Sequence, residues 1–301
     1  MKKTPIDHIN IHDKRFCITY PLDDATLYTS IQKMGIIQPV MLLNASPFVP
    51  VTGFKRLEIA CQLGLKEIPS IAVDITEQEA ILFAIHDNIQ RSLNLIEKAH
   101  AIERMLHIGF SVTEINETMK ILGLQPHEKV MKTLIAIASA EEPLKHFIVI
   151  HNLSMKIVNY LMRFEVNERA SIIDLFSSVH VTESTIREIL EIMNLLKIKQ
   201  GNILFDTLNP ASGLELMRQL KVRAYPILTS LHQQLQDLQQ ASALPPNIDI
   251  KVDPFFEKEY IDIGIRARNQ EDINQALEKL RRLNDDGILG RIFDLTKGNL
   301  R

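Results

Sequence analysis

The sequence predicts an α+β protein in three parts: a small α/β domain over residues 1–93, an all-helical domain over 94–200, and a C-terminal α/β association module over 201–301. Three observations predict it. Short extended runs alternate with helical ones up to about residue 95. Periodic apolar residues without a strand pattern then continue to about residue 198. Alternating runs return only near the end, in "NIDIKV" and "YIDIGI".

Each element has a local reason. "PIDHINIH" (5–12) reads as a strand. "DDATLYTSIQKMG" gives a helix with Leu27, Ile31 and Met34 on one face and Gly35 at its end. "IIQPVMLL" is a buried strand entered through Pro39, and "VTGFKRLEIACQLGL" a tight turn into a helix closed by Gly64. "EIPSIAV" is a further strand. Thr76 and Glu79 then form a capping box for a helix ending near Ile85. Asn94 with Glu97, and Ser111 with Glu114, repeat that signature at the start of the helical block. Within it, residues 111–138 read as two short helices joined at "LGLQP", which fits a helix-turn-helix or an ordinary helical hairpin.

"IKQGNILFDTLNPASG" (198–213) is the linker candidate. Beyond it Ala224, Leu228, Leu231, Leu235 and Leu238 recur at alternating steps of four and three, either a dimer seam or the buried stripe of a hairpin. "LPPNIDIKV" and "KEYIDIGIRA" form a strand hairpin around "DPFFE", and Asn269 caps the next helix. No catalytic signature appears there, so association is its expected task.

Composition narrows the class. The 301 residues are 46% hydrophobic, enough for two or three cores. No 18-residue apolar run calls for a membrane span, and the start lacks the apolar region of a signal peptide. Cys17 and Cys61 are too few for a disulfide framework or zinc, so a cytoplasmic protein is expected. His8, His12, His86, His100 and His107 are scattered through the first 107 residues, and of these only His100 and His107 share a helix face, two turns apart. Charge is balanced, with 34 Lys and Arg against 37 Asp and Glu, and residues 100–200 hold 11 basic and 12 acidic groups. A basic stripe for DNA is therefore not visible in composition.

Three polar clusters stand where a loop meets a helix. "GIIQPV" (35–40) offers Gly35, Gln38, Pro39 and Val40. "TGFKR" (52–56) places Gly53 in a turn, with Phe54, Lys55 and Arg56 opening a helix. "DNIQR" (87–91) puts Asp87, Asn88, Gln90 and Arg91 at a helix junction. Cations in a first helical turn oppose the helix dipole unless an anion sits there. The alternative is that Lys55 and Arg56 simply face water. Asp87 and Asn88 are oxygen donors of the kind Mg²⁺ takes, and Arg91 suits a phosphate. The alternative there is a satisfied polar hinge.

In this order, "SIQKMGIIQPV", "TGFKRLEIACQLGLKEIPSIAV", "DNIQRSLNLIEKAHAIERML" and the helical pair resemble the ParB family of partition proteins, whose N-terminal domain is related to sulfiredoxin. The resemblance covers roughly residues 5–175. It implies a CTP–Mg²⁺ cradle: Gly35, Gln38, Pro39 and Val40 toward the cytosine, Gly53, Phe54, Lys55 and Arg56 at the phosphates, Asp87 and Asn88 at the metal, Gln90 and Arg91 completing the junction. It also implies a clamp on DNA, with Lys129 and Lys132 the cations left in the recognition region, a homodimer, and a partition ATPase as partner. Phe54 stands where the family has the glutamate of G-E-R-R, and Asp87 where it has the glutamate of E-N-I-Q-R. Phenylalanine neither orients water nor accepts a proton, so any CTPase activity is expected to be weak or absent. Two other readings remain open: a non-catalytic adaptor that keeps the fold, and a sulfiredoxin-fold small-molecule kinase using Asp13 or Glu58.

Overall fold

The structure, a computed structural model, describes residues 2–297 apart from 180, 202 and 204. Internal contacts divide it into two compact units, residues 1–190 and 191–301. It is a mixed α+β chain. Among the described residues no helix is long and apolar enough to cross a membrane.

The first unit opens with a four-stranded sheet of β1 (Lys2–Pro5), β2 (Val40–Leu43), β3 (Val49–Thr52) and β4 (Glu67–Val73), in the order β1-β4-β2-β3. β2 runs parallel to β4 and antiparallel to β3, with Val40 opposite Ser70 and Met41 opposite Thr52. Helices α1 (Ala25–Met34) and α2 (Phe54–Gln62) connect the strands. Apolar residues from both sheet and helix close the core: Ile9, Val40, Leu42, Leu57, Ala60 and Ile68.

Several expectations are corrected here. The first strand lies at Lys2–Pro5, and Ile6–His8 is a turn of 3₁₀ helix, after which Ile9 makes one bridge to Phe48. Strand β3 (Val49–Thr52) occupies residues read only as the approach to a tight turn; it accommodates Pro50 because it is an edge strand, where the missing donor is dispensable. Met34 is 73% exposed, so it is not part of the buried face that Ile31 anchors. The helix expected to stop near Ile85 is α3 (Glu77–Ile89), so Asp87 and Asn88 lie in its last turn and Gln90 caps it.

After α2 the described residues of this unit form α3, α4 (Leu95–Ile108), α5 (Val112–Ile121), α6 (Glu128–Ala138), α7 (Glu142–Ile150), α8 (Met155–Leu161) and α9 (Val166–Ser178), and α10 (Glu183–Gln200) begins in it. All three anticipated capping boxes form. α4 is the centre of the helical part: Ile96, Ala99, Ala101, Ile102 and Met105 are buried. α6 packs chiefly on α4. The turn between α5 and α6, residues 122–127, is longer than the roughly 3–4 residues usual in a helix-turn-helix.

The second unit holds α11 (Gly213–Ala224), α12 (Pro226–Ser242), the antiparallel hairpin β5 (Ile248–Val252) and β6 (Ile261–Ile265), α13 (Gln270–Asp285) and α14 (Ile288–Thr296). The expected continuous stripe is interrupted: Ala224 ends α11, and Pro226 starts α12 as a first-turn proline. Leu235 and Leu238 pack on this unit's own core of Ile250, Leu283, Ile288 and Ile292. They are thus part of the inward stripe of a small module of α12, β5, β6, α13 and α14, partly buried against its core. Within the expected linker, Asn202 and Leu204 lie outside the described residues.

Candidate nucleotide cradle

Gly53 makes the tight turn that the sequence requires. Its φ of +86° is left-handed, and α2 starts at the next residue. A Cβ there would lie 3.1 Å from Arg56 Nη2 and 3.2 Å from Val40 Cγ2. The first two polar clusters therefore meet at this turn. Arg56 Nη1 donates to the carbonyls of Gln38 at 2.8 Å and Pro39 at 3.0 Å, tying the entry of β2 to the start of α2. Val40 is buried beneath them, whereas Gln38 is exposed and Gly35 ends α1 with φ +73°.

The third cluster divides. Asp87 is exposed, and its charge supports the Arg56 guanidinium, whose pKa burial lowers. α3 packs against β3, the strand that runs into the Gly53 turn. Asn88 and Arg91 are occupied by each other and by the chain: Asn88 Oδ1 accepts from Arg91 Nη2 at 2.8 Å and Nε at 3.1 Å, and Asn88 Nδ2 donates to the Ala84 carbonyl. Arg91 also grips Glu97, at 2.9 Å and 2.5 Å. Gln90 is exposed at the cap.

Glu97 is the residue that sequence reasoning read too narrowly. Its capping role is real, but it is 1% exposed and also accepts from Tyr20 N–H at 3.2 Å, while Asn94 Nδ2 donates to the Tyr20 carbonyl at 2.7 Å. No local pattern announces a contact between residues 20 and 97. Asp24 was also missed. It caps α1 through Leu27 N–H and holds Lys55 Nζ at 3.1 Å. An acid just before an apolar-periodic run is a cap signal, so its first role was readable.

Other groups are placed less suggestively. Phe54 is 6% exposed and belongs to the core. Asp13 is bonded through both carboxylate oxygens by Arg15, and although burial raises its pKa, those bonds hold it below the usual carboxylate value. Cys61 is half-buried, with desolvation raising its thiol pKa. Lys129 and Lys132 are exposed on the first turns of α6, and Glu128 pairs with Lys132 at 2.6 Å. A cavity of about 720 Å³ opens elsewhere, between residues 14–23, α4 and α7; Tyr20, His100, Arg104, Glu142 and Lys145 line it, and no residue of the three clusters does.

Among the described residues, no group of three or more His, Cys, Asp or Glu is placed to hold a metal by itself. Asp87 and Asn88 are oxygen donors at the end of α3, and the Asn88 oxygen is taken up by Arg91 in this structure.

The profile of the ParB N-terminal domain family matches residues 22–89, the stretch that contains all three clusters but Gln90 and Arg91. The chain carries a ParB N-terminal domain. A probable chromosome-partitioning protein ParB of Coxiella burnetii is 33% identical over 119 residues, 35% of this chain and 41% of that protein. The Vibrio cholerae counterpart is 28% identical over 149 residues, 48% of this chain and 50% of its own length. The chain thus spans half or less of these curated relatives. A C-terminally truncated Caulobacter crescentus ParB, solved with CTP-γ-S, aligns over 55% of this chain and 93% of its own, at 18% identity and a TM-score of 0.27. That score is too low to transfer any arrangement. The match to the ParB N-terminal domain rests on sequence, over residues 22–89.

Proposed function

We propose that the ParB N-terminal domain binds CTP with Mg²⁺ and that the chain acts as a nucleotide-dependent DNA clamp in partition or a related mobile-element task, with weak or absent hydrolysis. The observation that carries this reading is the convergence at Arg56: motifs separated by dozens of residues meet there, with Gly53 against its guanidinium, Gln38 and Pro39 under its Nη1, and Asp87 within its field. A left-handed glycine before a helix start, with two cations in the first turn, is suited to an anion.

In this reading Gly35, Gln38, Pro39 and Val40 face the base. Gly53, Phe54, Lys55 and Arg56 surround the phosphates through backbone N–H groups and the two cations. Asp87 and Asn88 reach the metal, with Gln90 and Arg91 at the junction. Bound Mg²⁺ would offset phosphate charge. For Asn88 and Arg91 to take part, their mutual bonds must open, which would release the α3–α4 junction. DNA contact falls to Lys129 and Lys132 of α6. Residues 1–93, 94–200 and 201–301 serve as nucleotide, DNA and association parts, the last forming a homodimer or meeting a partition ATPase. Because Leu235 and Leu238 are used internally, self-association would need another surface of that module.

Isothermal titration with CTP, ATP and GTP in Mg²⁺ tests the cradle. Selective heat with CTP, weakened at least tenfold by Arg56→Ala, is the expected result. No heat with any nucleotide would sink it and favour the adaptor reading, which the core placement of Phe54 also suits.

A further inference from the structure

Lys55 is already engaged by a carboxylate in this structure. Its Nζ lies 3.1 Å from Asp24 Oδ2, and the two side chains are only 27% and 32% exposed. Asp24 is itself anchored, since its other oxygen accepts Leu27 N–H at 2.9 Å as the cap of α1. The bond to Leu27 N–H and the ion pair both hold the Asp24 carboxyl below the usual carboxylate value, so it is charged at neutral pH. An anchored carboxylate cannot travel with Lys55 when the lysine swings toward the Gly53 turn. Arg56 differs, because its hydrogen-bond partners there are two neutral carbonyls.

We infer that Asp24 is a built-in competitor for the phosphate subsite: it holds Lys55 in the unliganded chain, and an incoming phosphate must take the lysine from it. This rests on the nucleotide reading above and adds to it a residue that sets affinity without touching the ligand. The chain then gives up part of its phosphate affinity, and only a ligand with several phosphate charges outbids the carboxylate.

The test uses the full chain with two probes, Mg²⁺·CTP and inorganic tripolyphosphate. Asp24→Asn keeps a side-chain acceptor for Leu27 N–H, because Asn caps helices about as well as Asp. An unchanged melting temperature confirms that the cap survives. Both probes should bind Asp24→Asn roughly two- to fivefold more tightly than wild type, the range expected for a partly shielded ion pair. In a Lys55→Ala background the same substitution should have no effect. Unchanged or weaker binding by Asp24→Asn, as a metal-ligand role would give, overturns the inference. So does an equal gain in the Lys55→Ala background, which would mean a general field effect. If wild type and Asp24→Asn both bind neither probe, the nucleotide reading itself fails; if wild type binds and Asp24→Asn binds no better, only the competitor role fails.

Discussion

At Gly53 two costs coincide. Its φ of +86° disfavours any side chain, and an added methyl would press on Arg56 and Val40. Gly64 shares the left-handed dihedral, at +66°, but has nothing within 4 Å. Gly53→Ala should therefore lower stability by about 2 kcal/mol and Gly64→Ala by about 1 kcal/mol, read as urea midpoints. Equal losses would mean that the Arg56 side chain yields freely. His100 offers a second single-residue test. Burial pushes its imidazole pKa down to about 4 from 6.5, with help from Arg104 and Lys145, and Glu142 opposing. Between pH 6.5 and about 4 the unfolded chain binds a proton that the folded chain does not, so stability falls as pH falls through that window. The loss should approach the order of 3 kcal/mol near the bottom of the window. Urea midpoints at pH 7 and 5 should drop further for wild type than for His100→Gln; equal drops would place the cause elsewhere.

Among the elements, those whose signals are local were the legible ones. β4 spans the residues expected, the three capping boxes form, and the β5–β6 hairpin pairs as its alternation implies. What escaped depends on neighbours distant in sequence. Pro50 is tolerated in β3 only because that strand is an edge, and the end of α3 is fixed by a network that reaches through Glu97 to Tyr20. The three polar clusters can be picked out of the sequence, but the partners they find in the fold cannot: nothing near Lys55 points to Asp24, nor near Glu97 to Tyr20. The α3–α4 junction gives an asymmetric prediction. Glu97 is buried while the Arg91 side chain is 44% exposed. Arg91→Ala leaves a buried carboxylate without its cation and should cost about 3 kcal/mol. Glu97→Gln leaves an arginine that can turn to water, and should cost about 1–2 kcal/mol. Chemical denaturation of both variants decides it; the reverse order would mean that Glu97 is held mainly by Tyr20 and Asn94.

For the whole molecule, charge sets the terms of any DNA contact. A net charge of −3 and the near balance over residues 100–200 leave no broad field to draw in a phosphate backbone. Retention would have to come from a few placed contacts, and α6 presents Lys129 and Lys132 for them. With about two to four phosphates contacted, log affinity should fall against log salt with a slope of about −2 to −4. The two lysines should not contribute equally. Lys132 already spends part of its charge on Glu128, whose carboxyl that bond holds below the usual value. Lys129→Ala should thus flatten the slope by about 1, Lys132→Ala by less, and Glu128→Gln should steepen it. Binding measured across a salt series would show this ordering. If wild type and all three variants share one slope, α6 does not meet the phosphates, and the DNA surface has to be sought on another helix of the first unit.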